Sequence, residues 1–371
     1  MKTMVLEHER WMRRALDLAR RGEGLTRPNP PVGAVVVRHG RVVGEGWHPK
    51  AGQPHAEALA LATAGRKAAG AVLYVTLEPC CTHGRTPPCT EAILRHGVRT
   101  VVVATRDPNP QHRGRGLTAL RRAGVEVIEG VVRAEARDLL APFARWIVSQ
   151  TPWVTLKLGT TLDGKIADAT GHSKWITSPA SRRWVQVLRR RADAILVGAN
   201  TVIVDNPSLL PHPELGRKPW RVVVDGRGRV PATVRLLTDE ARERTIMVTT
   251  EACPLARRKA WQRQGSQVWV LPATPQGGVA LDPMLRQLGA LGVMHGVCEG
   301  GGELAASLIR SRQVDELWWF VAPRVMGGGG AVNAVGGAGW RLEAMPTWTF
   351  MECRPVGPDL WIRARPKAQR A

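Results

Sequence analysis

Residues 46–89 gather the side chains that hold a metal and move a proton, and they oblige distant segments of chain to converge. His55-Ala56-Glu57 comes first, then Glu78-Pro79-Cys80, then Cys89. Zinc in a hydrolytic site takes three protein ligands and leaves a fourth position to water, whose pKa it lowers to roughly 7. His55, Cys80 and Cys89 can supply the three. Proton transfer also needs a carboxyl group beside the metal that does not bind it, and Glu57 fits that shuttle. Residues two apart diverge in a helix interior, so His55 and Glu57 can serve one centre only at a helix's first turn. Pro54 and the run 56–64 behind it predict a helix start there.

Pro87 and Pro88 precede Cys89, and residues 90–96 predict a short helix that stops at Gly97. A thiolate at a helix N-terminus is stabilised by the free backbone amides, so Cys89 is expected to ionise easily. Cys81 and His83 are rival ligands; Cys80 is preferred because it follows Pro79. A His-x-Glu followed by Pro-Cys and a further Cys is the pattern of zinc-dependent nucleobase deaminases. The first half of the chain is therefore expected to remove an amino group.

The nine-residue step from Cys80 to Cys89 is longer than the Pro-Cys-x-x-Cys of cytidine and tRNA-adenosine deaminases. With its inserted loop the sequence resembles the bifunctional riboflavin-biosynthesis deaminase/reductase family. Pro28-Asn29-Pro30-Pro31-Val32-Gly33, Ala51-Gly52-Gln53-Pro54-His55-Ala56-Glu57, Gly84-Arg85-Thr86-Pro87-Pro88-Cys89 and Asp107-Pro108-Asn109-Pro110 carry the resemblance. A second set of motifs extends it over nearly the whole chain: Leu162-Asp163-Gly164-Lys165, Gly171-His172-Ser173-Lys174-Trp175-Ile176-Thr177 and Glu299-Gly300-Gly301-Gly302-Glu303-Leu304.

The resemblance implies a cytidine-deaminase-like α/β/α domain over 1–149, a dihydrofolate-reductase-like α/β domain over 150–366 and a basic tail at 367–371. It implies one zinc and NADPH as cofactors. The expected reaction is hydrolytic deamination of 2,5-diamino-6-(5-phosphoribosylamino)pyrimidin-4-one, followed by reduction of its ribosyl group to a ribityl chain. Asn29 and His48 would hold the pyrimidine or its phosphate arm. Thr160, Trp175, Thr201, Asp205 and the segment Gly301, Gly302, Glu303, Leu304, Ala305, Ala306, Ser307 would bind the cofactor. Ser173, Arg189, Leu209 and Glu299 would bind substrate, with the Arg189 guanidinium gripping a phosphate through two parallel hydrogen bonds. Lys157, inside an apolar strand, calls for a partner or a ligand. Three positions depart from the family: Trp184 and Asn206 stand where an Asp is usual, and Pro211-His212 where an Arg is usual. A deaminase joined to an inactive reductase-like domain is one alternative, and a scaffold built on a dead deaminase fold is another.

A net charge of +22 pulls toward a third alternative, a deaminase acting on nucleic-acid bases. The charge is spread along the chain without a long basic tract, and with one Tyr and three Phe, base-stacking aromatics are few apart from 14 Trp. A phosphorylated small substrate suits such a surface equally well. No stretch approaches the roughly 20 apolar residues of a membrane span, and the charged N-terminus lacks a signal peptide's apolar core. A cytoplasmic protein without a disulfide framework is expected, and a homodimer or homotetramer.

Strand and helix signals alternate through both halves, which predicts sheets covered by helices. Strands are expected at 34–37, 41–43, 71–76, 100–104 and 125–127, and after a restart near Pro152 at 153–158, 194–197, 221–225, 245–249, 267–271, 293–298, 316–321 and 351–362. The turn at 299–302, between a strand and a helix at 303–310, lies where backbone amides can meet a pyrophosphate. The glycines at 327–330 read as a flexible loop.

Overall fold

The valine run at 35–37 becomes the inner strand around which the first half is built. The computed structural model describes residues 2–83, 87–213 and 217–367, so Gly84, Arg85 and Thr86 of the inserted loop and 368–371 of the expected tail lie outside the described residues. The chain forms two units, Met1–Gln150 and Thr151–Ala371.

The first unit runs α1 (Lys2–Arg20), β1 (Gly33–Arg38), β2 (Arg41–Trp47), α2 (Ala56–Ala64), β3 (Val72–Val75), α3 (Cys89–Arg95), β4 (Thr100–Val103), α4 (Arg115–Arg122), β5 (Glu126–Glu129) and α5 (Arg133–Ser149). Its sheet has the order β2-β1-β3-β4-β5, with β1 antiparallel to β2 and β3 and the remaining pairs parallel. Side chains alternate across the strands. Ala34, Val36, Leu73 and Val101 face α2, α3 and α4, while Val35, Val37, Tyr74 and Val102 face α1 and α5. This is the expected α/β/α sandwich, but α1 and α5 had no counterpart in the sequence reading. In α1 the charges hide a stripe of Trp11, Met12, Ala15, Leu16 and Ala19, all buried.

Glycine in β2 sets how closely α2 approaches the sheet. A Cβ on Gly44 would lie 2.1 Å from the Ala60 carbonyl oxygen, and one on Gly46 2.5 Å from that of Ala56. The alanine-rich helix can lie against backbone only because these two positions carry no side chain. Its first turn, with Glu57, is thereby fixed against the strand.

The second unit holds β6 (Trp153–Thr160), β7 (Lys165–Ala167), α6 (Pro179–Arg191), β8 (Ala194–Gly198), α7 (Ala199–Asp205), β9 (Trp220–Val224), α8 (Arg235–Thr238), β10 (Thr245–Thr249), α9 (Leu255–Arg263), β11 (Gln267–Val270), α10 (Leu281–Ala290), β12 (His295–Gly300), α11 (Gly302–Arg310), β13 (Glu316–Val321), β14 (Val332–Asn333), β15 (Trp348–Val356) and β16 (Asp359–Pro366). Nine strands form one sheet in the order β11-β10-β9-β8-β12-β6-β13-β16-β15. From β11 to β13 all pairs are parallel, and β16 and β15 add antiparallel pairs at one edge. Parallel strands covered on both faces read as continuous apolar runs, as in Ala194-Ile195-Leu196-Val197, and a separate core lies on each face. The last expected strand is a hairpin that turns through Gly357 at φ +62°. The expected turn at 299–302 narrows to Gly301, since Glu299 and Gly300 complete β12.

Gly44→Ala tests the close approach of α2. Overpacking of this kind costs about 1–3 kcal/mol, and the melting midpoint of the first unit is expected to fall by roughly 2–4 °C per kcal/mol in calorimetry. An unchanged midpoint would mean that α2 yields without cost.

Candidate functional site

His55 is the residue immediately before α2, with extended backbone, and Glu57 is the second residue of that helix. One helical turn thus aims both side chains at one centre, as their spacing requires. Cys80 follows β3 through Thr76-Leu77-Glu78-Pro79, and Cys89 opens α3. His55 Nδ1 lies 3.5 Å from Cys80 Sγ and 3.3 Å from Cys89 Sγ, and the three donor atoms all fall within 4.8 Å of one another. Nitrogen and sulfur bound to one tetrahedral zinc at ~2.0 and ~2.3 Å stand about 3.5 Å apart, so the set has the dimensions of a zinc site with three protein ligands. Among the described residues no other group of His, Cys, Asp and Glu is drawn together in this way, and neither rival, Cys81 or His83, joins it.

The charges around these donors fit a cation. Hydrogen bonds from the Cys89 thiol and backbone N–H, the latter at 3.3 Å, hold the Cys80 thiol below the ordinary thiol range. The Cys80 sulfur and burial push Cys89 well above the ordinary thiol range. This reverses the expectation that Cys89 is the easily ionised one: the first amide of α3 points at the sulfur of Cys80. Two adjacent sulfurs, one buried and one half-buried, can both be thiolates only with positive charge between them. Glu57 is 4% exposed, and burial, with the Cys80 sulfur adding to it, raises its carboxyl to about 7. A group poised there can both accept and return a proton at neutral pH.

Asn29 and His48 stand behind the cluster. His48 Nδ1 lies 3.1 Å from the Pro54 carbonyl, which can only accept, so that nitrogen carries the proton. Nε2 then accepts from Asn29 Nδ2 at 3.0 Å. Burial lowers the His48 pKa, which keeps the ring neutral. Its ring meets that of His55 edge-on at 5.3 Å. The pair thus steadies the chain just before His55.

In the second unit the expected residues separate into groups. Arg189 and Glu299 meet each other: Nε and Nη2 donate to the two carboxylate oxygens at 2.5 and 2.8 Å, and Nη1 donates to the Leu210 carbonyl at 3.2 Å. The fork expected to grip a phosphate is occupied by a carboxylate. Burial alone would raise the Glu299 carboxyl, but Arg189 and Lys157, at 4.0 Å, outweigh it and hold it below its usual range. Lys157 therefore has the partner its place in an apolar strand demanded, although burial still lowers its pKa.

Thr201 packs beside Gly300 and Gly301, at the start of α11. Asp205 accepts from Ser173 Oγ at 3.1 Å and pairs with Lys174 at 3.7 Å. Thr160 is buried, and its hydroxyl oxygen accepts from Trp319 Nε1 at 2.8 Å. Trp175 is 63% exposed, with the Arg182 guanidinium 4.4 Å above its ring.

Several of the residues assigned to cofactor or substrate turn their side chains into the core. Leu209 is 2% exposed and lies in the core, and so do Leu304 and Ala305, with Ala306 also buried. Their side chains fill the interior, which leaves backbone as what 302–306 can offer a ligand. Glu303 accepts from the Gly337 N–H at 2.9 Å, and Ser307 Oγ donates to the Glu303 carbonyl.

The departures from the family have local accounts. Trp184 stacks on Trp361 with centroids 5.6 Å apart, and Asn206, at φ +41°, accepts from the Arg235 N–H at 2.7 Å. The His212 N–H donates to Gln186 at 2.8 Å. Two residues that the sequence offered only as members of motifs, without a role of their own, hold loops in place. Asp163 accepts from the Met326 and Gly327 amides at 3.0 and 2.8 Å, holding the glycine run, and Glu78 sits between Cys80 and the loop at 107–116.

Comparison with known proteins matches residues 6–105 to the cytidine and deoxycytidylate deaminase zinc-binding region and residues 152–362 to the RibD C-terminal domain. The riboflavin biosynthesis protein RibD of Aquifex aeolicus is 46% identical, covering 88% of this chain and 90% of that one. Its Escherichia coli counterpart is 39% identical over 96% of this chain and 99% of that one. A solved structure from Thermotoga maritima, described as a diaminohydroxyphosphoribosylaminopyrimidine deaminase/5-amino-6-(5-phosphoribosylamino)uracil reductase, superposes with a TM-score of 0.86 at 35% identity, covering 98% of this chain and 100% of that one. With these relatives along its whole length, and a zinc-binding deaminase domain followed by an NADPH-type reductase domain, the chain belongs to the bifunctional RibD family of riboflavin biosynthesis.

Proposed function

We propose that the first unit deaminates 2,5-diamino-6-(5-phosphoribosylamino)pyrimidin-4-one and that the second reduces the ribosyl group of the product to a ribityl chain. The observation that carries the first step is the buried Glu57 carboxyl, raised to about 7, beside the convergent His55, Cys80 and Cys89. Those three would hold zinc, which as a Lewis acid makes a water nucleophilic at neutral pH. Glu57 takes a proton from that water and returns it to the departing ammonia, so that C–NH2 and H2O become C=O and NH3. Asn29 and the neutral His48 bound the site on the side of Pro54 and orient the pyrimidine.

In the second unit NADPH, when bound, would supply the hydride. The amides at the start of α11, next to Gly301 and Gly302, suit its pyrophosphate, and Thr160, Trp175, Thr201 and Asp205 are assigned to the same ligand. Ser173, Arg189, Leu209 and Glu299 are assigned to the substrate. Here Arg189 acts by fixing the Glu299 carboxylate, which is left to accept a hydroxyl hydrogen bond, and Leu209 acts through its backbone. We further propose a homodimer or homotetramer in the cytoplasm. The edge strand β15 exposes Phe350 and Met351 beside unpaired backbone, a surface that a second copy would cover, and all six cysteines are free thiols.

The test follows ammonia and NADPH together with the diaminopyrimidinone ribosyl phosphate as substrate. Ammonia release followed by NADPH oxidation is expected, and NADPH oxidation without ammonia would overturn the proposed order. Glu57→Gln is expected to lower ammonia release by about 10²–10⁴-fold with zinc retained, while NADPH oxidation on the deaminated substrate continues. Arg189→Met leaves Glu299 buried without its main partner, which is expected to destabilise the second unit by about 3 kcal/mol in denaturant titration and to slow NADPH oxidation but not ammonia release. Stability unchanged by that substitution would show that Lys157 alone compensates Glu299.

A further inference from the structure

Glu78 is 5% exposed and takes no place among the donor atoms, yet its carboxylate is held by three backbone amides. Oε2 accepts from the Asp107 N–H at 3.1 Å and the Gly114 N–H at 2.9 Å, and Oε1 accepts from the Gly116 N–H at 2.9 Å. Its own N–H donates to the Thr105 carbonyl at 3.0 Å. The helix that follows, α4, has no acidic residue in its first turn, so Glu78 supplies from across the unit the negative charge that a helix start favours. A Cβ on Gly116 would sit 2.1 Å from the Pro79 carbonyl oxygen, so the loop is pressed against the peptide that leads into Cys80.

The loop held in this way lies against Glu78 and Pro79, the two residues that lead into Cys80. Asp107, at its start, accepts from the Asn109 N–H at 2.8 Å, which fixes the first turn of the loop. Cys80 has supports of its own: its carbonyl accepts from the Thr90 N–H at 3.1 Å and its sulfur from the Cys89 N–H at 3.3 Å. Loss of Glu78 should therefore free the loop and leave the metal ligands in place.

Resting on the deaminase reading of this site, we infer that Glu78 is a positioning residue: it locks the 105–116 loop against Pro79-Cys80 so that Asp107 and Asn109 form a fixed wall of the pyrimidine pocket. The carboxylate acts through the loop and touches neither substrate nor metal.

The experiment compares the wild-type chain with Glu78→Gln, which removes the charge at nearly constant shape, and with Gly116→Ala, which keeps the charge but forces the loop off the Pro79 carbonyl. Zinc content, steady-state ammonia release, NADPH oxidation on the deaminated substrate and amide hydrogen exchange are followed. Both variants are expected to keep their zinc and their NADPH oxidation. Loosening a wall that binds ground state and transition state alike should raise the deaminase KM by roughly tenfold while kcat stays within about threefold. Exchange at the amides of 107, 114 and 116 should accelerate in Glu78→Gln. Zinc lost in parallel with activity, a fall in kcat at constant KM, or unchanged kinetics would each overturn the inference. If the wild-type chain releases no ammonia, the deaminase reading itself fails, and unchanged exchange at those three amides would then overturn the role of Glu78 independently.

Discussion

Two sulfurs, an imidazole and a carboxyl share one half-buried cluster in the first unit, and each of its supports serves to keep them there. Such a cluster costs stability unless a cation compensates the thiolates. The geometry that makes it tolerable comes from glycine: Gly44 and Gly46 let α2 rest on β2, which places His55 and Glu57, and the first amide of α3 meets the Cys80 sulfur. Removing these close approaches would separate the donors before it touched the chemistry.

The second unit solves a different problem, a row of charges within a largely parallel sheet. Lys157, Arg189 and Glu299 are buried as a group, with one carboxylate serving two cations. Breaking such a group by removing one partner is more damaging than its net worth suggests, because the remaining charge is left without water. Trp184 stacks on Trp361 and Asn206 closes the end of α7, so both positions have structural reasons for the residues they hold.

Legibility in the sequence followed the range of the interactions. The convergence of His55, Cys80 and Cys89 was readable because their residue types, order and helix-start context are local, and the inner strands because valine and isoleucine runs identify strands buried on both faces. Helix α1 was missed because its charges outnumber the stripe Trp11, Met12, Ala15, Leu16 that packs inward. The anchoring by Glu78 and the pairing of Arg189 with Glu299 join segments that only the fold brings together, and no spacing rule announces them. The segment 301–307 was legible as a helix start, which offers its amides to a ligand, but not that the side chains of 304–306 turn into the core, since that depends on the sheet they pack against.

The central claim is that His55, Cys80 and Cys89 together hold one zinc with a place left for water. X-ray absorption at the zinc edge of the purified chain tests it most directly. The account predicts one zinc per chain bound by two sulfurs at about 2.3 Å and by nitrogen and oxygen at about 2.0–2.1 Å, with zinc lost in Cys80→Ala and Cys89→Ala but kept in Cys81→Ala. Three or four sulfur ligands, or zinc retained without Cys80, would contradict it.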